Sequence, residues 1–187
     1  ASKVVELARN PHCTLDEIEM EFKRVFKCIK KVIWTNEGVA DDRSSYKGTF
    51  KSKHHDMIFT AFATGGHVDE YVRFVSQDTI MLAHVLPEDV QVAQEQQDEL
   101  VLLTHENLQE NFKILSNSTD QDGNKLNIVM VPMPLPILYK FNKQKDEAFK
   151  IMSEQPFEDP AFKFPIDAEE ITVAPAASYL NFVFANE

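Results

Sequence analysis

A chain of 187 residues, 43% of them hydrophobic and 26% charged, is long enough to bury a proper core and too apolar to be disordered. Its formal net charge of -11 argues against nucleic acid as a partner, because a phosphate backbone needs clustered Lys and Arg; a cationic small molecule suits it better. The apolar runs are too short for a membrane or secretory segment, and Cys13 and Cys28 lack a Cys-x-x-Cys spacing, so the expectation is a soluble protein of the cytoplasm.

The first predicted element begins at Thr14, whose hydroxyl caps a helix while Glu17 reaches back to the cap amide. Leu15, Ile18, Phe22, Val25, Phe26 and Ile29 then share one stripe, which predicts a helix ending near Lys31. Cys13 and Cys28 flank or join this apolar helix and read as small structural hydrophobes. Val32, Ile33 and Trp34 read as a short strand closed by Asn36 and Gly38. Residues 39–66 show no period and read as a long loop closed by Gly65 and Gly66.

Residues 71–74 and 79–86 flank Ser76-Gln77-Asp78 and predict a hairpin. Leu100, Leu103, Leu108, Phe112 and Leu115 give one imperfect helix within residues 94–116, with a break near His105. A buried strand over residues 126–131 must stop at Pro132, Pro134 and Pro136, which lack the amides a central strand donates. After a charged segment, residues 178–184 form a last aromatic and β-branched run. The order of elements predicts an α/β or α+β fold.

Gly65-Gly66-His67-Val68-Asp69 is the sharpest motif, since two glycines permit a tight turn and His-x-Asp aims both side chains at one face. His67 could exchange protons near neutral pH while Asp69 pairs with a cation; equally, both could satisfy loop hydrogen bonds. A two-histidine, one-carboxylate metal site using His84 or His105, or the run His54-His55-Asp56, is the rival chemistry. No second histidine sits at a diagnostic spacing, so no metal or other cofactor is expected.

Arg9-Asn10-Pro11-His12, Val32-Ile33-Trp34, Gly66-His67-Val68-Asp69 with Phe74, Ile114-Leu115-Ser116, Asp122-Gly123, Val131-Pro132-Met133-Pro134 and residues 177–182 together resemble the agmatine deiminase and bacterial peptidylarginine deiminase family. That resemblance implies a pentein-type α/β propeller of ββαβ modules, of which residues 1–187 would be a single segment incomplete at both ends, about half of a member in extent. In the family a cysteine attacks the guanidinium carbon, a histidine moves protons and two carboxylates hold the cation. His67 matches the histidine, Asp69 one carboxylate, and Asn181 an asparagine at or beside the substrate. The Trp-x-Arg-Asp segment and the late cysteine of the family are missing, and residues 43–63 are longer and more basic than the family's loop.

The resemblance therefore implies part of a hydrolase converting agmatine and water to N-carbamoylputrescine and ammonia, inactive alone without its thiol. A non-catalytic pentein-like scaffold or assembly subunit is the alternative. Expected partners are an agmatine-like guanidinium molecule and a complementary chain or second copy, which would cover an edge carrying Val4, Val5, Leu7, Val183 and Phe184.

Overall fold

The computed structural model describes residues 1–177 and 179–182. Two short helices open the chain, α1 (Lys3–Arg9) and α2 (Leu15–Val25). The capping box predicted at Thr14 and Glu17 is present in both directions, the Glu17 carboxylate accepting from the Thr14 amide at 2.8 Å. The helix stops at Val25, not near Lys31, because Phe26 leaves helical geometry, and of its stripe only Ile18 is buried. Cys28 thus falls outside the helix and Cys13 in the turn before it; both are exposed, which corrects their reading as packed hydrophobes. Residues 32–34 form no strand: the extended chain makes only one bridge, between Ser2 and Thr35.

The expected loop 39–66 contains a 3-10 turn at Ala40–Asp42, a second at Ser45–Lys47, and a hairpin of β1 (Phe50–Ser52) and β2 (His55–Ala61). Strand β3 (Val72–Phe74) pairs antiparallel with β4 (Thr79–His84), as predicted. Next come α3 (Pro87–Gln96) and α4 (Glu99–Ser116), and the helix break falls at Gln97 and Asp98, where Asp98 caps α4, leaving His105 inside a continuous helix. Strand β5 (Asn127–Pro132) runs parallel to β4 at the edge of the sheet β3-β4-β5 and is half-exposed, which explains why prolines can follow it. Strand β6 (Tyr139–Asn142), helix α5 (Glu147–Ser153) and strand β7 (Glu170–Pro175) complete a second sheet of order β1-β2-β7-β6. Of the run expected over residues 178–184, Ser178, Val183 and Phe184 lie outside the described residues.

The fold is therefore mixed α/β, and its sheets are open rather than closed on one another. The units β3, β4, α3 with α4, and β5 form one ββαβ module. Helix α4 packs between two cores. Val101, Leu108 and Leu115 join Tyr71, Ile80 and Leu82, whereas Leu100 joins Phe50, Ile58 and Ala174 of the second sheet. The opposite face of that sheet carries Phe59, Ile171 and Val173 against Phe149, with Phe157, Phe162 and Phe164 packed on them. Strands β2 and β7 are thus covered on both faces, so four consecutive residues of β2 are buried and no alternating pattern marks it in the sequence.

Candidate active site

The turn before His67 is built on two glycines with left-handed backbones, Gly65 at φ +102 and Gly66 at φ +97, a region that side-chain-bearing residues rarely enter. Asp42, fully buried at the end of the first 3-10 turn, holds this turn from within. Its Oδ2 accepts the amides of Gly66 at 2.8 Å and His67 at 3.0 Å and the Thr64 hydroxyl at 2.7 Å, while its Oδ1 accepts the Thr64 amide. Its own carbonyl accepts from the Gly65 amide at 3.0 Å. One carboxylate thereby satisfies the buried Gly66 amide and gathers the part-buried donors of Thr64 and His67 onto the same group.

His67 and Asp69 come near one another through the 3-10 turn Val68–Glu70 rather than along an extended segment: Nδ1 of His67 lies 3.9 Å from Oδ1 of Asp69, and both side chains are partly open to solvent. On the other side of the ring, Nη2 of Arg9 donates to Nε2 at 2.7 Å. In a neutral ring this fixes Nε2 as acceptor and leaves the proton on Nδ1, facing Asp69.

Asn181 approaches by a different route. The Glu70 carbonyl accepts the amides of Tyr179 and Leu180, each at 3.1 Å, which lays residues 179–182 beside the 3-10 turn Val68–Glu70. Arg73 then donates to the Leu180 carbonyl at 2.7 Å and to Oδ1 of Asn181 at 3.0 Å. Asn181 is therefore bonded to Arg73, one step from Glu70, rather than to His67 or Asp69.

Beneath this layer, Tyr179 donates its hydroxyl to Oδ2 of Asp41 at 2.9 Å, and the Ala177 amide reaches the same oxygen at 3.3 Å. Oδ1 of Asp41 and Oε2 of Glu70 are buried without hydrogen-bond partners among the described residues. Burial pushes the Asp41 carboxyl up to about 6, against the pull of the Tyr179 hydroxyl, and burial together with the Asp41 charge pushes the Tyr179 phenol up as well. Asp41, Asp42 and Tyr179 were missed as site-building residues in the sequence. An Asp-Asp pair following Gly38 was the available signal, but its partners lie 24 and 138 residues away.

A cavity of about 20 Å³, room for one water, lies behind the turn and is lined by Gly38, Arg43, Gly65, Gly66 and Asn107 among others. An open groove of about 510 Å³ lined by Phe22, Phe26, Ile29, Val32, Ile33 and Phe74 is apolar and does not include His67 or Asp69. The histidine run at residues 54 and 55 lies at the turn and start of the β1–β2 hairpin. Among the described residues no three His, Cys, Asp or Glu side chains gather as a metal-ligand set, and no helix is long and apolar enough to cross a membrane.

The agmatine deiminase of Medicago truncatula is 26% identical over 178 residues, covering 95% of this chain and 36% of its own length. That of Pseudomonas aeruginosa, strain LESB58, matches equally, at 26% identity with the same coverage of 95% and 36%. The chain thus spans about a third of these curated relatives rather than the half expected. The structure described as agmatine deiminase of Enterococcus faecalis catalyzing its reaction superposes with a TM-score of 0.51 at 16% identity, covering 73% of this chain and 29% of the other, a likeness of fold. The profile of the Porphyromonas-type peptidyl-arginine deiminase family matches residues 1–187, and the chain belongs to that family.

Proposed function

We propose that this chain supplies the proton-transfer and cation-binding part of an agmatine deiminase-type hydrolase, which converts agmatine and water to N-carbamoylputrescine and ammonia. The observation that carries this reading is His67 and Asp69 side by side on a glycine turn locked by Asp42. His67 moves protons, Asp69 holds the guanidinium, and Asn181 stands at the edge of the substrate region, positioned by Arg73. Neither exposed cysteine serves as the nucleophile in this reading, so the thiol comes from elsewhere and the chain alone releases no ammonia. The single ββαβ module is consistent with a piece of a pentein-type propeller.

A scaffold or assembly role is favoured by one observation: Val129, Ile137 and Tyr139 expose 40%, 69% and 53% of their surfaces on or beside the edge strands β5 and β6. Another module, a complementary chain or a second copy would cover them.

Agmatine titration by calorimetry tests the first reading. Saturable binding to the wild type that is lost in Asp69→Asn is expected, with no ammonia released by either protein. Equal binding by the two proteins overturns the assignment of Asp69.

A further inference from the structure

Arg9 is the last residue of α1, and its side chain is 57% exposed. It nevertheless crosses 58 positions of sequence to put Nη2 2.7 Å from Nε2 of His67. A guanidinium can only donate, so in this contact Nε2 must be the unprotonated acceptor. The remaining ring nitrogen faces Asp69, and Glu6 stands 4.0 Å from Nη1 of Arg9. A guanidinium belonging to the chain itself therefore occupies Nε2, the ring nitrogen that does not face Asp69.

We propose that Arg9 is a built-in competitor, a guanidinium that a guanidino substrate must displace from His67 before any proton can move through Nε2. The proposal rests on the reading of His67 as the proton carrier. The exposure of Arg9 sets the strength of the block: a solvent-open contact of this kind is worth at most a factor of about five in an equilibrium. That is enough to select against weakly bound cations and too little to lock the site. Release requires only a swing of the Arg9 side chain, because α1 is fastened elsewhere, by buried Val5, the Ser2 cap and the bridge from Ser2 to Thr35.

The sign of one substitution separates a competitor from a positioning residue. With the full chain labelled with nitrogen-15, the His67 ring resonances are followed during titration with agmatine, using sodium chloride at matched ionic strength as control. In Arg9→Ala the hydrogen-bond signature at Nε2 should disappear and agmatine should bind more tightly than to the wild type, by up to about fivefold. Arg9→Gln, which also removes the cation, should do the same, and Arg9→Lys should stay near the wild type. Unchanged or weaker binding in both neutral variants overturns the proposal while leaving the deiminase reading intact. Agmatine that leaves the His67 resonances unmoved in every variant overturns that reading, and the proposal with it.

Discussion

The phenol of Tyr179 donates to the carboxylate of Asp41 across 138 residues of sequence, joining the segment after β7 to the 3-10 turn that precedes the hairpin. The same carboxylate keeps its other oxygen buried with no hydrogen-bond partner among the described residues.

That arrangement makes stability depend on pH in a direction opposite to an ordinary ion-paired aspartate. The Asp41 carboxyl titrates at about 6 when folded, against 3.8 without the fold, so the folded state holds its proton more tightly. Its contribution is fully present below about pH 4 and is lost as pH rises through about 6. Asp41→Asn, which stays neutral, should be more stable than wild type at pH 7.5 by up to ~3 kcal/mol and lose that advantage at pH 4. Urea unfolding at both pH values checks it; an advantage that does not change with pH sinks the argument.

Asp42 is fully buried and accepts from Thr64, Gly66 and His67. Asp42→Ala strands the buried Gly66 amide and leaves the part-buried Thr64 and His67 donors to water, so a loss of ~1–3 kcal/mol is expected. Asp42→Asn should also destabilise, because its amide nitrogen would face donors. Denaturant midpoints measure both, and a loss below ~1 kcal/mol for alanine would mean that water replaces the carboxylate.

Gly38 is needed for space, not for an unusual backbone. A Cβ there would sit 2.6 Å from Cε1 of Tyr71, whose ring is fully buried and whose hydroxyl is held by Thr35 at 2.8 Å. Gly38→Ala should cost ~1–3 kcal/mol through overpacking, and Tyr71→Leu in the same chain should recover part of that penalty relative to the two single variants added. A double-mutant cycle by thermal unfolding gives the coupling.

Gln97 carries the opposite defect. It adopts a left-handed backbone, φ 52 and ψ 41, where α3 ends and α4 begins. Glycine meets no Cβ strain there, so Gln97→Gly should stabilise the protein by ~0.5–1 kcal/mol, with Gln97→Val destabilising it. The order of the three melting temperatures is the readout.

The capping box at Thr14, the hairpin around Gln77 and the strand into Pro132 could all be read because each is specified by neighbours in sequence. The β1–β2 hairpin could not. Its second strand is covered on both faces and pairs with β7 more than a hundred residues later, so no alternation shows and its partner is not local. Strand β7, the run Ile171-Thr172-Val173-Ala174, shows no alternation for the same reason. The apolar stripe falters near His105, yet the backbone turns at Gln97, where a capping aspartate follows. In the site, the spacing of His67 and Asp69 leaves a functional pair and two loop residues equally open, and only the resemblance of the whole Gly-His-x-Asp segment assigns them roles. The buried Asp42 clamp and the Arg9 contact were not legible, since long-range hydrogen bonds leave no period in the chain.

Helix α4 gives its Leu100 to one core and its Val101, Leu108 and Leu115 to the other. Neither sheet can come apart without exposing one side of that helix, so the two sheets share a single cooperative unit despite having no strand in common. Calorimetric and van't Hoff enthalpies should therefore agree, and amides on β4 and β7 should exchange through the same global opening rather than in two independent steps.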